Sequence, residues 1–163
     1  MKKAMARDPQ RASSKSIERV TRVGSLTSRV KPVSQATTER ALEALAAADI
    51  YTTRLVSGLR EIALAFELGE HDQAAEALSG AVAGLRCLAD ILAMVGRATG
   101  VQTTPSTDQE LGRIALCLKE VEQSYSRREL RTVARLIDEE LVPALARLAP
   151  SFPQLEARVA ARA

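Results

Sequence analysis

From residue 38 onward, apolar side chains recur every three or four positions in four successive stretches, separated by glycine, proline or hydroxyl-rich breaks. That periodicity predicts amphipathic helices. In the first stretch Leu42, Leu45, Asp49, Thr52, Val56, Leu59, Ala63 and Phe66 share a face, widened by Leu55, Ile62 and Leu68. Thr37 or Thr38 is placed to cap its start, with Glu39 in the first turn. Gly69 is placed to end it, giving a helix of about 30 residues, or about 45 Å. A second helix, starting at Asp72, carries Leu78, Val82, Leu85, Leu88, Ala89, Leu92 and Val95 and ends around Gly96 to Gly100.

Residues 101–107 read as a loop, and Thr107 with Glu110 has the spacing of a capping box. The third stripe is Leu111, Ile114, Ala115, Leu118, Val121 and Tyr125. Ser126 and Glu129 repeat the capping-box spacing ahead of a fourth stripe, Leu130, Val133, Ala134, Ile137, Leu141, Leu145 and Leu148. Pro143 inside that stripe is expected to kink or break it near Val142. Pro150 and Pro153 stop it. Residues 154–163 read as a short helical tail in which Leu155 and Val159 can dock or the end can fray. Short connections between four amphipathic helices favour an all-α fold, an antiparallel four-helix bundle.

Charge divides the chain. Residues 1–35 hold nine cations (Lys2, Lys3, Arg7, Arg11, Lys15, Arg19, Arg22, Arg29, Lys31) against Asp8 and Glu18, a net of +7. The rest holds 14 basic and 18 acidic residues, a net of −4. The first segment, rich in Ser and Arg with Pro9 and Pro32, reads as a basic arm, disordered or partly helical. Ile17, Val20, Val23, Leu26 and Val30 offer an amphipathic face that is too weak to fold alone. The expected division is an arm at 1–35, a bundle at 36–149 and a tail at 150–163. No secretory signal and no transmembrane run is expected, and the expected address is the cytoplasm.

The chemistry-bearing residue types are sparse. Aromatic residues make up 2% of the chain and tryptophan is absent, which disfavours modules that stack bases on rings. His71, the one histidine, sits in the Gly69–Asp72 turn without a second histidine, so neither a di-iron set nor a phosphotransfer site is expected. Cys87 and Cys117 lie in apolar helical patterns and read as buried hydrophobes. No base accompanies Ser79, Cys87 or Cys117 at a readable spacing, and no phosphate-cradling loop is present. No enzyme activity, cofactor or metal is expected. Asp138-Glu139-Glu140 reads as a solvated face, Arg86 and Asp90 as a pair across one turn, and Asp49 as a polar group on the first stripe that could meet Arg86.

Gly80 and Gly84, with Ala77 and Ala81, place small residues on one side of the second helix. Each glycine costs roughly 1 kcal/mol against alanine there. A neighbouring backbone approaching closely, from the first helix or from a partner, is the expected compensation.

Phe66-Glu67-Leu68-Gly69 at the end of a long first helix, a Gly-rich turn after the second, and Asp138-Glu139-Glu140-Leu141-Val142-Pro143-Ala144-Leu145 together give residues 38–148 a resemblance. They are similar to small bacterial helical bundles of the flagellar export-chaperone type. The resemblance implies a bundle that cradles an aggregation-prone helical segment of a client.

These readings converge on a non-enzymatic protein-interaction module, an adaptor or chaperone-like bundle. It binds a partner helix in a shallow apolar groove or self-associates, and Ala77, Gly80, Ala81 and Gly84 are the candidate contact face. The alternative is a nucleic-acid- or membrane-surface-associated protein that works through the arm cations, with the bundle as oligomerisation unit.

Overall fold

The computed structural model describes residues 34–162. They form α1 (Gln35–Leu68), α2 (His71–Thr99), α3 (Pro105–Ser126), α4 (Leu130–Leu136), a π-helical turn (Ile137–Leu141), α5 (Val142–Leu148) and α6 (Ser151–Ala160), with no strand among the described residues. The basic arm cations and the Ile17–Val30 stripe lie outside the described residues.

Three predicted helix starts move upstream, and the fourth, expected at Ser126, moves downstream to Leu130. Ser34, rather than Thr37 or Thr38, caps α1, its Oγ accepting from the Thr37 amide at 3.3 Å. Thr38 is instead buried within the helix. The first turn of α2 opens at His71, following Glu70 with no side-chain cap, so Asp72 lies inside it. Thr104 caps α3 by accepting from the Thr107 amide at 3.2 Å, and Pro105 takes the first turn, where a missing N–H costs nothing. Ser126 closes α3 by donating to the Glu122 carbonyl at 2.8 Å, so no capping box forms with Glu129. In each case the hydroxyl or carboxylate had the right spacing, but the backbone was already helical there. Gly69 (φ 87°) and Gly100 (φ 68°) do end α1 and α2 in the left-handed conformation that glycine adopts at least cost.

All the buried residues of α1 except Ala63 are spaced alternately by three and four: Thr38, Ala41, Leu45, Ala48, Thr52, Leu55, Leu59, Ile62 and Phe66. Those of α2 follow the same rule at Ala74, Leu78, Ala81, Leu85, Leu88, Leu92, Val95 and Thr99. A 3.5-residue repeat keeps a narrow seam facing a partner helix, and α1 and α2 pack extensively on each other. Their buried threonines bond within the helix, Thr52 donating to the Ala48 carbonyl (2.7 Å) and Thr99 to that of Val95 (2.8 Å).

α1 is the hub. It packs against α2, α4, the π turn, α5 and α6, while α3 packs against α4, the π turn and α5. Consecutive α2 and α3, by contrast, scarcely touch. The chain beyond Pro150 is no fraying tail but part of the body. Phe152, Leu155 and Val159 of α6 are all buried and the helix lies on α1, so the domain extends to the end of α6 instead of stopping at 149.

Pro143 neither ends nor simply kinks the fourth helical stretch. A proline in an α-helix lacks one N–H and crowds the carbonyl four residues back. Here the preceding turn widens, and the Val142 amide bonds the Ile137 carbonyl five residues back. α5 then resumes at Val142, the position where the interruption was expected. The widened turn leaves Ile137 and Leu141 fully buried and turns Asp138, Glu139 and Glu140 to solvent.

Candidate functional site

The seam residues of α2 fix its orientation, and the residue following each seam position therefore falls on one flank. Ala75, Ser79, Val82 and Arg86 stand one place after Ala74, Leu78, Ala81 and Leu85. On α3, Ala115, Leu118, Glu122 and Tyr125 recur at helical spacing. Because α2 and α3 are held by different neighbours, these two rows face a groove of about 780 Å³ that Leu78, Ala83, Lys119 and Val121 also line. Val82 and Leu118 are only half-buried, and Tyr125 is 43% exposed. The Phe66 ring centroid lies 6.3 Å from both His71 and Tyr125. The Tyr125 end of α3 therefore stands beside the first turn of α2, and Arg86 and Ala115 belong to the other end of the groove.

The four predicted small residues do not form one free surface. Gly84 and Ala81 are buried on the α1 side. The Tyr51 phenol fills the space a Cβ at Gly84 would need, its Cζ at 2.9 Å. That contact, with a ring of α1 and not with a partner backbone, accounts for Gly84. Ala77 and Ala81 line a smaller depression of about 370 Å³ between α1 and α2, with Tyr51, Leu55 and Gly58 opposite. Gly80 is exposed and a Cβ there would meet nothing within 4 Å.

The other singled-out residues separate as well. Cys87 is exposed, contrary to expectation, because it falls two places past the seam position Leu85. Cys117 is buried and its Sγ–H donates to the Leu136 carbonyl at 3.6 Å. Burial first, then the charges of Glu140 and Glu120, pushes its thiol up to about 11. It is therefore a protonated packing residue at neutral pH, not a nucleophile. The ion pairs among the described residues join Glu110 to Arg113 and Arg147, and Arg135 to Glu139. Neither Asp49–Arg86 nor Arg86–Asp90 is among them. Among the described residues no group of three or more His, Cys, Asp or Glu could hold a metal ion, and no buried side-chain polar atom lacks a hydrogen-bond partner.

By length and composition α2 is apolar enough to cross a membrane, although no uninterrupted apolar run exists and 39% of its most apolar window is buried inside the fold. Alanine, leucine and glycine raise its average, with Arg86 and Asp90 dispersed among them. The seam against α1 uses part of that apolarity, and the groove flank carries more of it. None of the four small residues expected to line a groove lies in this one; its signal in the sequence is the second four–three–four stripe, offset by one from the seam.

Residues 43–151 match a family model described as a domain of unknown function, DUF8042, and the chain belongs to that family. No curated protein and no solved structure matches it.

Proposed function

We propose that this protein is a non-enzymatic interaction module, an antiparallel four-helix bundle whose α2–α3 side receives an amphipathic helical segment of another protein. One observation carries the reading: α2 and α3, adjacent in sequence, scarcely touch and instead flank an apolar groove. Three sides of the bundle are closed by packing, and a docked helix would close the fourth. Helix-in-groove recognition needs an apolar stripe on the guest and a trough on the host. Residues 75–86 of α2 span about 17 Å, three turns, at 1.5 Å per residue. A chaperone-like use, in which the groove shields a client's helix, is the form of this reading that the resemblance to export chaperones favours.

The test places an environment-sensitive fluorophore in the groove, on Ser79→Cys in a Cys87→Ser background. A three-turn peptide with leucines at i, i+3, i+4 and i+7 and a neutral glutamine flank is then titrated. A saturable blue shift, abolished by Val82→Asp with helicity unchanged by circular dichroism, is the expected result. A shift that Val82→Asp leaves intact would place the contact elsewhere. A shift that grows with protein concentration alone would assign the groove to self-association.

A further inference from the structure

The groove reading leaves the guest's chemistry open, and the rim supplies it; the inference here rests on that reading. Arg86 projects from α2 and Lys119 from α3 into the lining, and neither belongs to an ion pair among the described residues. The acid of the lining, Glu122, is one turn nearer the Tyr125 end. The groove is thus cationic towards Arg86 and aromatic towards Tyr125, with Leu78, Val82, Leu118 and Val121 between.

We infer that the occupant is an acidic amphipathic helix of another protein, about three turns long, whose carboxylates lie over Arg86 and Lys119. Complementary charge at such a rim selects partners and fixes register more than it adds affinity. The same charges disfavour occupants from this chain. A segment like residues 16–30, with Arg19, Arg22 and Arg29 against Glu18, would bring like charge to Arg86 and Lys119. The acidic run Asp138–Glu140 of a second copy has the right sign but no free apolar stripe, because the flanking Ile137 and Leu141 are fully buried.

The experiment uses the full chain and three synthetic peptides sharing one leucine stripe, with glutamate, glutamine or lysine on the flanking positions of one end. Fluorescence polarisation at low salt is expected to rank them glutamate, glutamine, lysine, with at least a tenfold gap between the extremes. The gap should shrink in half-molar salt and reverse in the Arg86→Glu/Lys119→Glu double variant. Both side chains are solvent-facing, so the variant should keep its thermal midpoint. Equal binding of all three peptides, a preference for lysine, or a ranking untouched by the double variant would overturn the inference while leaving the groove reading standing. Failure of every peptide to bind would sink the groove reading and the inference together.

Discussion

The two flanks of α2 are built from neighbouring residues and have opposite fates. Ala74, Leu78, Ala81, Leu85, Leu88, Leu92 and Val95 are buried towards α1, with Leu78 alone also reaching the groove, and no member of that row is more than 8% exposed. One residue further round, Ala75, Ser79, Val82 and Arg86 look across a groove at α3. The sealed row is mostly leucine at its larger positions, while the open row is short side chains ending in a cation. A helix held on one side only draws its stability from the seam and leaves the other flank free. A glycine is an ambiguous sign on such a helix: Gly84 makes room for Tyr51 within the fold, and Gly80 makes room for nothing the fold contains.

Substitutions in the seam should be the most costly. Leu88→Ala, at a site 1% exposed, should cost about 2–5 kcal/mol in urea unfolding. If α2 were loosely held, the loss would fall well below that range. Val82→Ala on the open flank should cost less than about 1 kcal/mol, since its surroundings can collapse into the groove and part of its surface is already wet. A loss as large as that of Leu88 would mean that the groove is closed in solution. Gly80→Ala should stabilise the chain by up to about 1 kcal/mol, the helix-propensity difference at an unobstructed site. A loss of stability there would reveal a close contact on that face.

The smallest effect concerns the thiols. Below pH 9, Cys87 should react with an aromatic disulfide within seconds to minutes, and Cys117 only through opening of the fold. Cys117 also adds a pH dependence. Its proton is held more tightly in the folded chain, where the pKa is raised from 9.0 to about 11. Its contribution to stability is therefore fully present below pH 9 and is lost as pH rises from 9 towards 11. Cys117→Ser should flatten that part of the stability curve. Unchanged curvature would show that the thiol is not shielded.

Much of the fold was legible. The four apolar stripes predicted α1, α2, α3 and the Leu130–Leu148 stretch, and Gly69 marked the end of α1 because a left-handed turn residue is nearly always glycine. The starts of the helices were less legible. Ser34, Thr37 and Thr38 all have hydroxyls within a few residues, and a cap is chosen by where the backbone leaves the helix. The fate of Pro143 was half legible: the interruption at Val142 was foreseeable, the widened turn that absorbs it was not. For α6 the sequence left docking and fraying open, because Phe152, Leu155 and Val159 make only a short stripe beside Pro150 and Pro153, and only α1 makes it worth burying. The candidate site was the least legible part. Its lining residues belong to the apolar stripes of α2 and α3, but a groove is the space between two helices, which neither stripe encodes.

Helical character, the run of the apolar stripes and the charge boundary at residue 35 are all contained in the order of the residues. These are local properties, set by side-chain periodicity, glycine conformation and composition. Which flank of α2 is sealed, the seating of Tyr51 on Gly84, the burial of α6 and the gap between α2 and α3 arise only from packing. Each of these depends on how five separate segments compete for the surface of α1, and no single segment carries that information.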